Sequence, residues 1–223
     1  MKLWLASTDP AAVSACFELG VFHGVLTNPT LIAASQRHPR EVMAALCSAT
    51  AGPVFYQVRD QGVEAMKTES GRWLELGWRN LGIKVALTRG GCALLHWLRG
   101  QGVEHRLATC VPTVTQVLLA AALDVPWITP SGSALEKMGG PSKVSLLENM
   151  QCALDRQGSA TRLIPSLATP AEMQALALCG VRHGFVWEQE VNRFVDSELV
   201  RQVAAGFAPA WAAIERSEMI TTP

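Results

Sequence analysis

Short runs of consecutive apolar residues alternate along the chain with longer segments in which apolar residues recur at helical spacing. The short runs predict eight strands, at 3–5, 22–26, 54–58, 82–87, 106–110, 125–129, 162–164 and 181–186. The longer segments predict helices such as 41–49, 88–99, 113–122, 142–156 and 170–178. A first helix is predicted from the capping residue Asp9 and Pro10 to Gly20.

The order of these elements predicts the fold class. Continuously apolar strands that alternate with helices are typical of a parallel sheet covered on both faces. Eight of them can close into a (β/α)8 TIM barrel. An open doubly wound sheet is the alternative, but no glycine-rich phosphate loop follows the first strand. We therefore expect one barrel domain over 1–223, with an extra C-terminal helix at about 205–217.

Composition narrows the classes of partner. The 223 residues are 49% hydrophobic and 17% charged, and 19 Lys and Arg balance 19 Asp and Glu. Nucleic acids and anionic membranes attract concentrated positive charge, so neither is the expected partner. A surface without net charge favours self-association, so a homo-oligomer is expected.

Other features predict a cytoplasmic chain without a metal or organic cofactor. The uncharged stretch from Leu107 up to Asp124 is short for a membrane span and contains polar residues. Asp9 interrupts the N-terminus before a signal-peptide core can form. The six cysteines are scattered, and none of their spacings is that of a metal site. Most have apolar neighbours, which is typical of free thiols in a core.

Lys84 is the first candidate for chemistry, because it lies in the otherwise apolar strand 82–87. Burial lowers the pKa of a lysine by disfavouring its charged form. A neutral amine condenses with a ketone or aldehyde to give a Schiff base, which supports cleavage or formation of a carbon–carbon bond. The alternative is a lysine that snorkels to solvent or pairs with a buried carboxylate.

Further candidates follow from the barrel, because reactive groups of TIM barrels lie at the C-terminal ends of strands. Tyr56 precedes the candidate Gln57 in the same strand, so Tyr56 is expected to face the helices if Gln57 faces the barrel interior. Trp127 and Trp187 also lie near predicted strand ends, whereas the other tryptophans are expected to pack in the core. The polar residues at these ends are Thr27, Asn28, Gln57, Thr109, Ser131 and Ser166.

Several motifs occur in the order and spacing of a known family. They are Leu-Trp-Leu at 3–5, Leu-Thr-Asn-Pro-Thr at 26–30, Phe-Tyr-Gln-Val at 55–58, Ile-Lys-Val at 83–85, Thr109 with Gln116, and Ser166 with Thr169-Pro170. The chain resembles the transaldolase family, in its short subfamily with fructose-6-phosphate aldolase, from residue 1 to about residue 211. The resemblance implies a barrel, a Schiff-base lysine at Lys84 and hydroxyketone chemistry. It also implies a decamer or pentamer in which the C-terminal helix reaches a neighbouring subunit.

The resemblance also implies roles for individual residues. Asn28 would bond a hydroxyl of the donor substrate, and Gln57 and Thr109 would hold a water molecule that relays protons. Ser166 would line the phosphate or hydroxyl end of the substrate. Thr27 and Ser131 are further candidate substrate contacts.

Four positions depart from the family pattern. Ala6 stands where the family has a catalytic aspartate, and Ala86 where it has a proline. Ser131 and Ala134 stand where the aldolase subfamily has a tyrosine acid and a phosphate-binding arginine. Asp9 is interpreted as a helix cap and not as a replacement for the aspartate.

These departures alter the expected chemistry more than they abolish it. A lost general acid or base costs about 10²–10⁴ in rate. A lost arginine removes the strongest simple contact to phosphate. Replacement acids could be Tyr56, Ser131 or Cys110, although Cys110 is also interpreted as a core thiol. Replacement cations could be Lys143 or Arg162, interpreted otherwise as a solvated helix end and a charge at a strand start.

The leading hypothesis is a class I aldolase or transaldolase-like enzyme whose acid–base system is altered. Its substrate would be a small carbonyl compound: a ketone or hydroxyketone donor, with an acceptor that lacks phosphate. The alternatives are a catalytically retired barrel with a binding or assembly role, and a Schiff-base enzyme of a specialised biosynthetic pathway.

Overall fold

Eight strands form the centre of the computed structural model, which describes residues 1–216. Every predicted strand is present, with ends that differ from the prediction by at most two residues. The strands are β1 (Lys2–Ala6), β2 (Phe22–Leu26), β3 (Val54–Gln57), β4 (Leu81–Ala86), β5 (Arg106–Val111), β6 (Trp127–Pro130), β7 (Arg162–Leu163) and β8 (His183–Trp187).

All strand pairs are parallel and follow chain order, and β1 pairs with both β2 and β8. The ring closes between β8 and the segment after β7. There the Phe185 amide donates to the carbonyl of Pro165 at 2.8 Å, and the Leu167 amide donates to the carbonyl of Phe185 at 2.8 Å. The fold is the predicted (β/α)8 TIM barrel, and not the open doubly wound sheet.

Helices fill the connections between strands, and several begin at the predicted signals. Asp9 caps α1 by accepting from the amide of Ala11 at 2.9 Å, so its interpretation as a cap is confirmed. Proline follows the cap in α1, α2, α3 and α9, where its fixed φ suits the first turn. The helices up to β8 are α1 (Pro10–Glu18), α2 (Pro29–Ala34), α3 (Pro39–Ala49), α4 (Val63–Leu74), α5 (Arg89–Gly100), α6 (Val114–Ala122), α7 (Gly132–Lys137), α8 (Lys143–Arg156) and α9 (Pro170–Leu178).

The inside of the barrel is a layer of large apolar side chains. Because successive strand residues point to opposite faces, alternate positions face this interior. Gly82 and Gly24 leave the space that the rings need, since a Cβ on either would lie 2.4 Å from Phe55 or 2.3 Å from Trp4. The layer consists of Trp4, Leu26, Phe55, Leu107 and Ile164, with Trp127 and Phe185 packed against it.

Contacts divide the chain into two units, residues 1–188 with the barrel and the residues from Gln189 on. The second unit contains α10 (Val191–Val195), α11 (Glu198–Ala205) and α12 (Ala208–Arg216). The predicted C-terminal helix at 205–217 thus corresponds to the end of α11 and to α12, and its residue 217 lies outside the described residues. Large apolar side chains of this unit are exposed, namely Val195, Leu199, Val200, Val203, Phe207 and Trp211.

Two observations concern the expected surroundings of the chain. No helix within residues 1–216 has the length and apolar character that crossing a membrane requires. All six cysteines are free thiols, but only Cys16 is buried, while Cys110 and Cys152 are exposed. The expectation that most cysteines pack in the core is therefore wrong.

Candidate active site

Lys84 lies inside the barrel near the C-terminal end of β4 and is only 7% exposed. Its Nζ donates a hydrogen bond to the backbone carbonyl of Thr27 at 3.1 Å. Burial lowers the pKa of Lys84 to about 8, against a smaller opposing effect of Cys110. The side chain neither snorkels to solvent nor forms an ion pair within residues 1–216, so the two alternative interpretations do not describe it.

A cavity of about 120 Å³ opens beside this amine. It lies on the apolar layer, at the C-terminal ends of the strands, where TIM barrels place their reactive groups. Among the described residues that line it, Lys84 alone is ionisable, and the others are hydroxyl, amide and apolar groups. They are Ala6, Leu26, Thr27, Asn28, Lys84, Thr109, Thr129, Pro130, Ser131, Phe185 and Trp187.

Thr27 and Asn28 reach the cavity in different ways. The Thr27 hydroxyl donates to the carbonyl of Phe55 at 2.7 Å, so this side chain is engaged with the neighbouring strand. Asn28 caps α2, with its Oδ1 accepting from the amide of Leu31 at 2.8 Å. The Asn28 side-chain NH₂ has no bond to any group of residues 1–216, so it is available to a ligand.

Gln57 and Thr109 flank Lys84 on the neighbouring strands. Gln57 pairs directly with Lys84 in the β3–β4 register, and Thr109 pairs with Ala86 in the β4–β5 register. Paired residues of parallel strands point to the same face, so both side chains face the barrel interior. Thr109 lines the cavity, whereas Gln57 is not among the lining residues.

The two candidate serines occupy different positions. Ser131 lines the cavity directly after β6. Ser166 is not a lining residue; its Oγ lies 3.3 Å from the Oγ of Ser133, and its backbone bridges to Phe185. The structure therefore brings Thr27, Asn28, Lys84, Thr109 and Ser131 around one cavity and leaves Gln57 and Ser166 beside it.

Thr129 and Phe185 line the cavity although sequence reasoning did not single them out. Thr129 is 6% exposed, and its hydroxyl has no hydrogen-bond partner within residues 1–216. A buried hydroxyl without a partner is costly, which makes it a candidate ligand contact. The signal was present, because Thr129 ends the predicted strand 125–129 and lies two residues after the inward-facing Trp127. Trp187, noted for its place near a strand end, lines the cavity as well.

None of the proposed replacement acids other than Ser131 lines the cavity. Tyr56 faces α4, where its hydroxyl donates to Glu69 at 2.9 Å, and burial together with Glu69 raises its pKa to about 12. Cys110 is exposed, so its interpretation as a core thiol is wrong, and it is not a lining residue either.

At the end of β1, Ala6 lines the cavity, and the hydroxyl of the next residue, Ser7, donates to the carboxylate of Glu188. The Glu188 charge also raises the pKa of Cys16 in α1, after the effect of burial, which places this carboxylate near α1.

The two candidate replacement cations are not available at the cavity. Lys143 is buried and its Nζ lies 2.7 Å from Oε1 of Glu172. Its interpretation as a solvated helix end is therefore wrong. Arg162 begins β7, as expected of a charge at a strand start, and therefore lies at the opposite end of the barrel from the cavity. Its guanidinium donates to the carbonyl of Ala160 at 2.8 Å.

The donor set of the cavity suits organic carbonyl compounds better than metals. Its polar groups are an amine, an amide and hydroxyls, none of which is an anionic ligand. Within residues 1–216 no group of three or more His, Cys, Asp or Glu side chains is arranged to hold a metal ion.

Comparison with known proteins finds relatives whose sequences match most of this chain. A protein of Caulobacter sp. (strain K31), named "Probable transaldolase", is 32% identical over 164 residues, which cover 74% of each chain. A "Probable transaldolase" of Lactiplantibacillus plantarum is 28% identical over 220 residues, 98% of this chain and 100% of the relative. A "Probable transaldolase 2" of Listeria monocytogenes is 29% identical over 220 residues, 98% of this chain and 99% of the relative. No family model matches the chain.

Proposed function

Because the chain belongs to the transaldolase family, we propose that it is a class I enzyme of the short, fructose-6-phosphate aldolase-like subfamily. Lys84 forms a Schiff base with a small ketone or hydroxyketone, and a carbon–carbon bond forms or breaks at the adjacent carbon. The observation that carries this proposal is a buried amine of lowered pKa beside a cavity in which no other described lining residue is ionisable.

The first step follows from the state of Lys84. Its neutral Nζ attacks the carbonyl carbon of the donor, and the carbinolamine then loses water to give an iminium. The iminium accepts the electron pair of the bond cleaved at the next carbon, or releases a proton there to form an enamine that attacks an aldehyde. Hydrolysis of the final iminium returns the amine and the product ketone.

The proton transfers in these steps need an arrangement different from the family pattern. Ala6 stands in place of the aspartate, and the part of the chain that the structure describes brings no carboxylate, phenol or imidazole to the cavity. Hydroxyls and water are therefore the carriers of the proposed relay. Thr109 and Ser131 line the cavity, and Gln57 is next to Lys84 in register, so these residues support a relay through bound water. Because a general acid or base of the family pattern is missing, we expect turnover to be slower by about 10²–10⁴ than in an enzyme with the full acid–base set.

The cavity also supports a small, uncharged substrate. A volume of about 120 Å³ is well below the several hundred Å³ that enclose a drug-sized ligand. Within residues 1–216 no arginine, and no lysine other than Lys84, lines the cavity, and Ala134 is exposed. Asn28 supports recognition of a donor hydroxyl, while the aromatic wall of Phe185 and Trp187 supports an acceptor without phosphate.

Reductive trapping tests the proposal. The folded protein is incubated with dihydroxyacetone, hydroxyacetone or acetone, reduced with borohydride, digested, and analysed by mass spectrometry. We expect an adduct on Lys84 with at least one ketone, and none on the peptide of the exposed Lys137 under the same conditions. A folded protein that gives no Lys84 adduct with any member of the panel contradicts the proposal.

One observation favours a second candidate, a retired barrel that binds a metabolite without turning it over. Among the described residues that line the cavity, no carboxylate, phenol or imidazole accompanies Lys84. The two functions differ in turnover. If ketones form the Lys84 adduct but no aldehyde is consumed and no product ketone appears by NMR, the binding role is the correct one.

We also propose that the protein is a cytoplasmic homo-oligomer, which the family resemblance predicts to be a decamer or pentamer. The six free thiols support a reducing compartment. The exposed apolar side chains of the second unit, such as Leu199, Phe207 and Trp211, support self-association. Light scattering after size exclusion measures the mass, and a monomer at micromolar concentration contradicts the oligomer.

A further inference from the structure

A second, larger cavity lies on the outer side of β3, near the C-terminal end of this strand. It has a volume of about 580 Å³ and borders Pro39 and Arg40 in the first turn of α3 and one face of α4, so we call it the α3–α4 groove. The lining positions on and just after α4 are 65, 68, 69, 72, 73 and 76, which is the spacing of a single helix face. The volume is typical of small-molecule sites, which measure about 300–1,000 Å³.

One part of the groove is an aromatic surface that is held in place by the protein itself. The rings of Tyr56 and Trp73 lie with their centres 4.1 Å apart and their planes inclined by 34°, and both side chains are partly exposed. The Tyr56 hydroxyl donates to Oε1 of Glu69 at 2.9 Å, and Nε2 of Gln61 donates to Oε2 of Glu69 at 3.1 Å. A planar molecule therefore meets an apolar surface that is already formed before binding.

The charges of the groove are unbalanced. Three arginines line it, whereas Glu69 is the only carboxylate among the described lining residues. Oε2 of Glu69 lies 3.7 Å from Nε of Arg59, so these two charges compensate each other. The side chains of Arg40 and Arg72 are exposed and form no ion pair or hydrogen bond within residues 1–216. With histidine counted as neutral, two positive charges remain uncompensated.

We propose that the α3–α4 groove binds a nucleoside monophosphate. A phosphate monoester carries a charge of about −1.5 to −2 at pH 7, which matches the two uncompensated arginines. Guanidinium groups also bind phosphate oxygens through paired hydrogen bonds. The planar base stacks on the aromatic surface of Tyr56 and Trp73. An inorganic anion would use the arginines alone and an uncharged ring the aromatic surface alone, so the two features together favour a ligand that has both.

The groove is separate from the cavity at Lys84. Tyr56 faces α4, whereas the next residue, Gln57, faces the barrel interior beside Lys84, so the two sites lie on opposite faces of β3. Within residues 1–216 no residue lines both. A ligand in the groove therefore takes no part in imine chemistry, and this inference does not rest on the proposed function.

Isothermal titration calorimetry of the full-length protein tests the proposal. The probes are AMP, GMP, CMP and UMP, with sodium chloride keeping the ionic strength equal in all titrations. We expect at least one nucleotide to bind with a Kd below about 1 mM. The corresponding nucleoside and inorganic phosphate each carry only one of the two recognised groups, so each is expected to bind at least about tenfold more weakly.

Substitution of the arginines locates the site. Arg40→Gln/Arg72→Gln should raise the Kd of the nucleotide by about 10–100-fold, because it removes the charge-assisted bonds to phosphate. Both side chains are exposed, so the variant is expected to fold. The control Arg79→Gln removes an exposed arginine outside the groove and should bind the nucleotide as the wild type does. Lys84→Met should also bind it unchanged.

Several results would overturn the proposal. It is wrong if none of the four nucleotides binds below about 1 mM, or if the nucleoside or phosphate alone binds as tightly. An unchanged Kd in the double arginine variant places the nucleotide elsewhere, and lost binding in Lys84→Met places it in the Lys84 cavity. If circular dichroism shows that the double variant is unfolded, Arg40→Gln and Arg72→Gln are measured singly, with a rise in Kd of about tenfold expected for each. Because no carbonyl compound is present, nucleotide binding and the Lys84 adduct succeed or fail independently.

Discussion

The barrel contains a buried base at each end, and the two are surrounded in opposite ways. Near the C-terminal ends of the strands, Lys84 borders a cavity and, among residues 1–216, bonds only to a backbone carbonyl. At the N-terminal ends, His183 starts β8 and packs against aromatic rings, with its Nδ1 accepting from Nε1 of Trp4 at 3.3 Å. Its ring centre lies 5.0 Å from that of Trp127 and 5.4 Å from that of His23.

Burial lowers the pKa of Lys84 to about 8. Burial, together with the nearby His23, Lys2 and Arg162, lowers the pKa of His183 to about 4. Rings pack around His183, although it also borders a surface pocket with Met1 and Lys2. The cavity beside Lys84 differs in its lining, because hydroxyl and amide groups face the amine there. A shifted pKa therefore marks a reactive group only where groups that can bind a reactant surround it.

Of the changes that test this comparison, replacement of Lys84 has the largest expected effect on reactivity and stability. Lys84→Met should abolish the borohydride-trapped adduct, while the exposed control Lys137→Met should form it as the wild type does. Because burial of the ammonium opposes folding, Lys84→Met should also raise the free energy of unfolding at pH 7, by up to about 3 kcal/mol. Mass spectrometry and urea unfolding give the two values. An adduct of normal yield in Lys84→Met would assign the chemistry to another lysine.

The pH dependence of imine formation follows from the lowered pKa of Lys84. The neutral amine forms as pH rises through about 8, so the initial rate of trapping should rise with a midpoint there. At pH 7 the neutral fraction is about 300-fold larger than for a lysine of ordinary pKa. Trapping rates between pH 6 and 10, with the Lys137 peptide as reference, measure the midpoint. A midpoint near 10 would show that Lys84 is not perturbed.

His183 should instead make the fold sensitive to acid. Its folded pKa of about 4 lies below its usual 6.5, so the unfolded chain binds a proton more readily between these values. Stability is therefore full above pH 6.5 and falls as the pH drops towards 4, by about 3 kcal/mol from this group. Urea unfolding of His183→Gln should show a flatter profile over this range, whereas the exposed control His96→Gln should follow the wild type.

Replacement of two threonines at the cavity has the smallest expected effects on stability and turnover. Thr129→Val removes a hydroxyl without a partner in the described residues, so stability should stay or rise, while turnover falls about tenfold if that hydroxyl bonds the substrate. Thr27→Val removes the bond to the carbonyl of Phe55 and should cost about 1 kcal/mol of stability. Equal stability losses in both variants would contradict the assignment of Thr129 as a ligand contact.

The elements could be predicted from the sequence because their signals are local. Asp9-Pro10 begins α1, and alternation within 54–58 correctly placed Tyr56 towards the helices. Lys143 could not be predicted in the same way. It follows the cap Ser142 like any first-turn lysine, and only packing against Gly132 and Glu172 buries it. The partner of a buried charge is set by tertiary structure, which local patterns do not contain.

The closing seam of the barrel has a consequence for the cavity. β7 has two residues, and beyond it the ring is joined through Phe185 and the segment around Ser166. We expect a seam with so few backbone bonds to open at lower free energy than the rest of the ring. Phe185 belongs to both the seam and the cavity wall. A local opening there would change the shape of the cavity, so we expect a molecule that packs against Phe185 to oppose it.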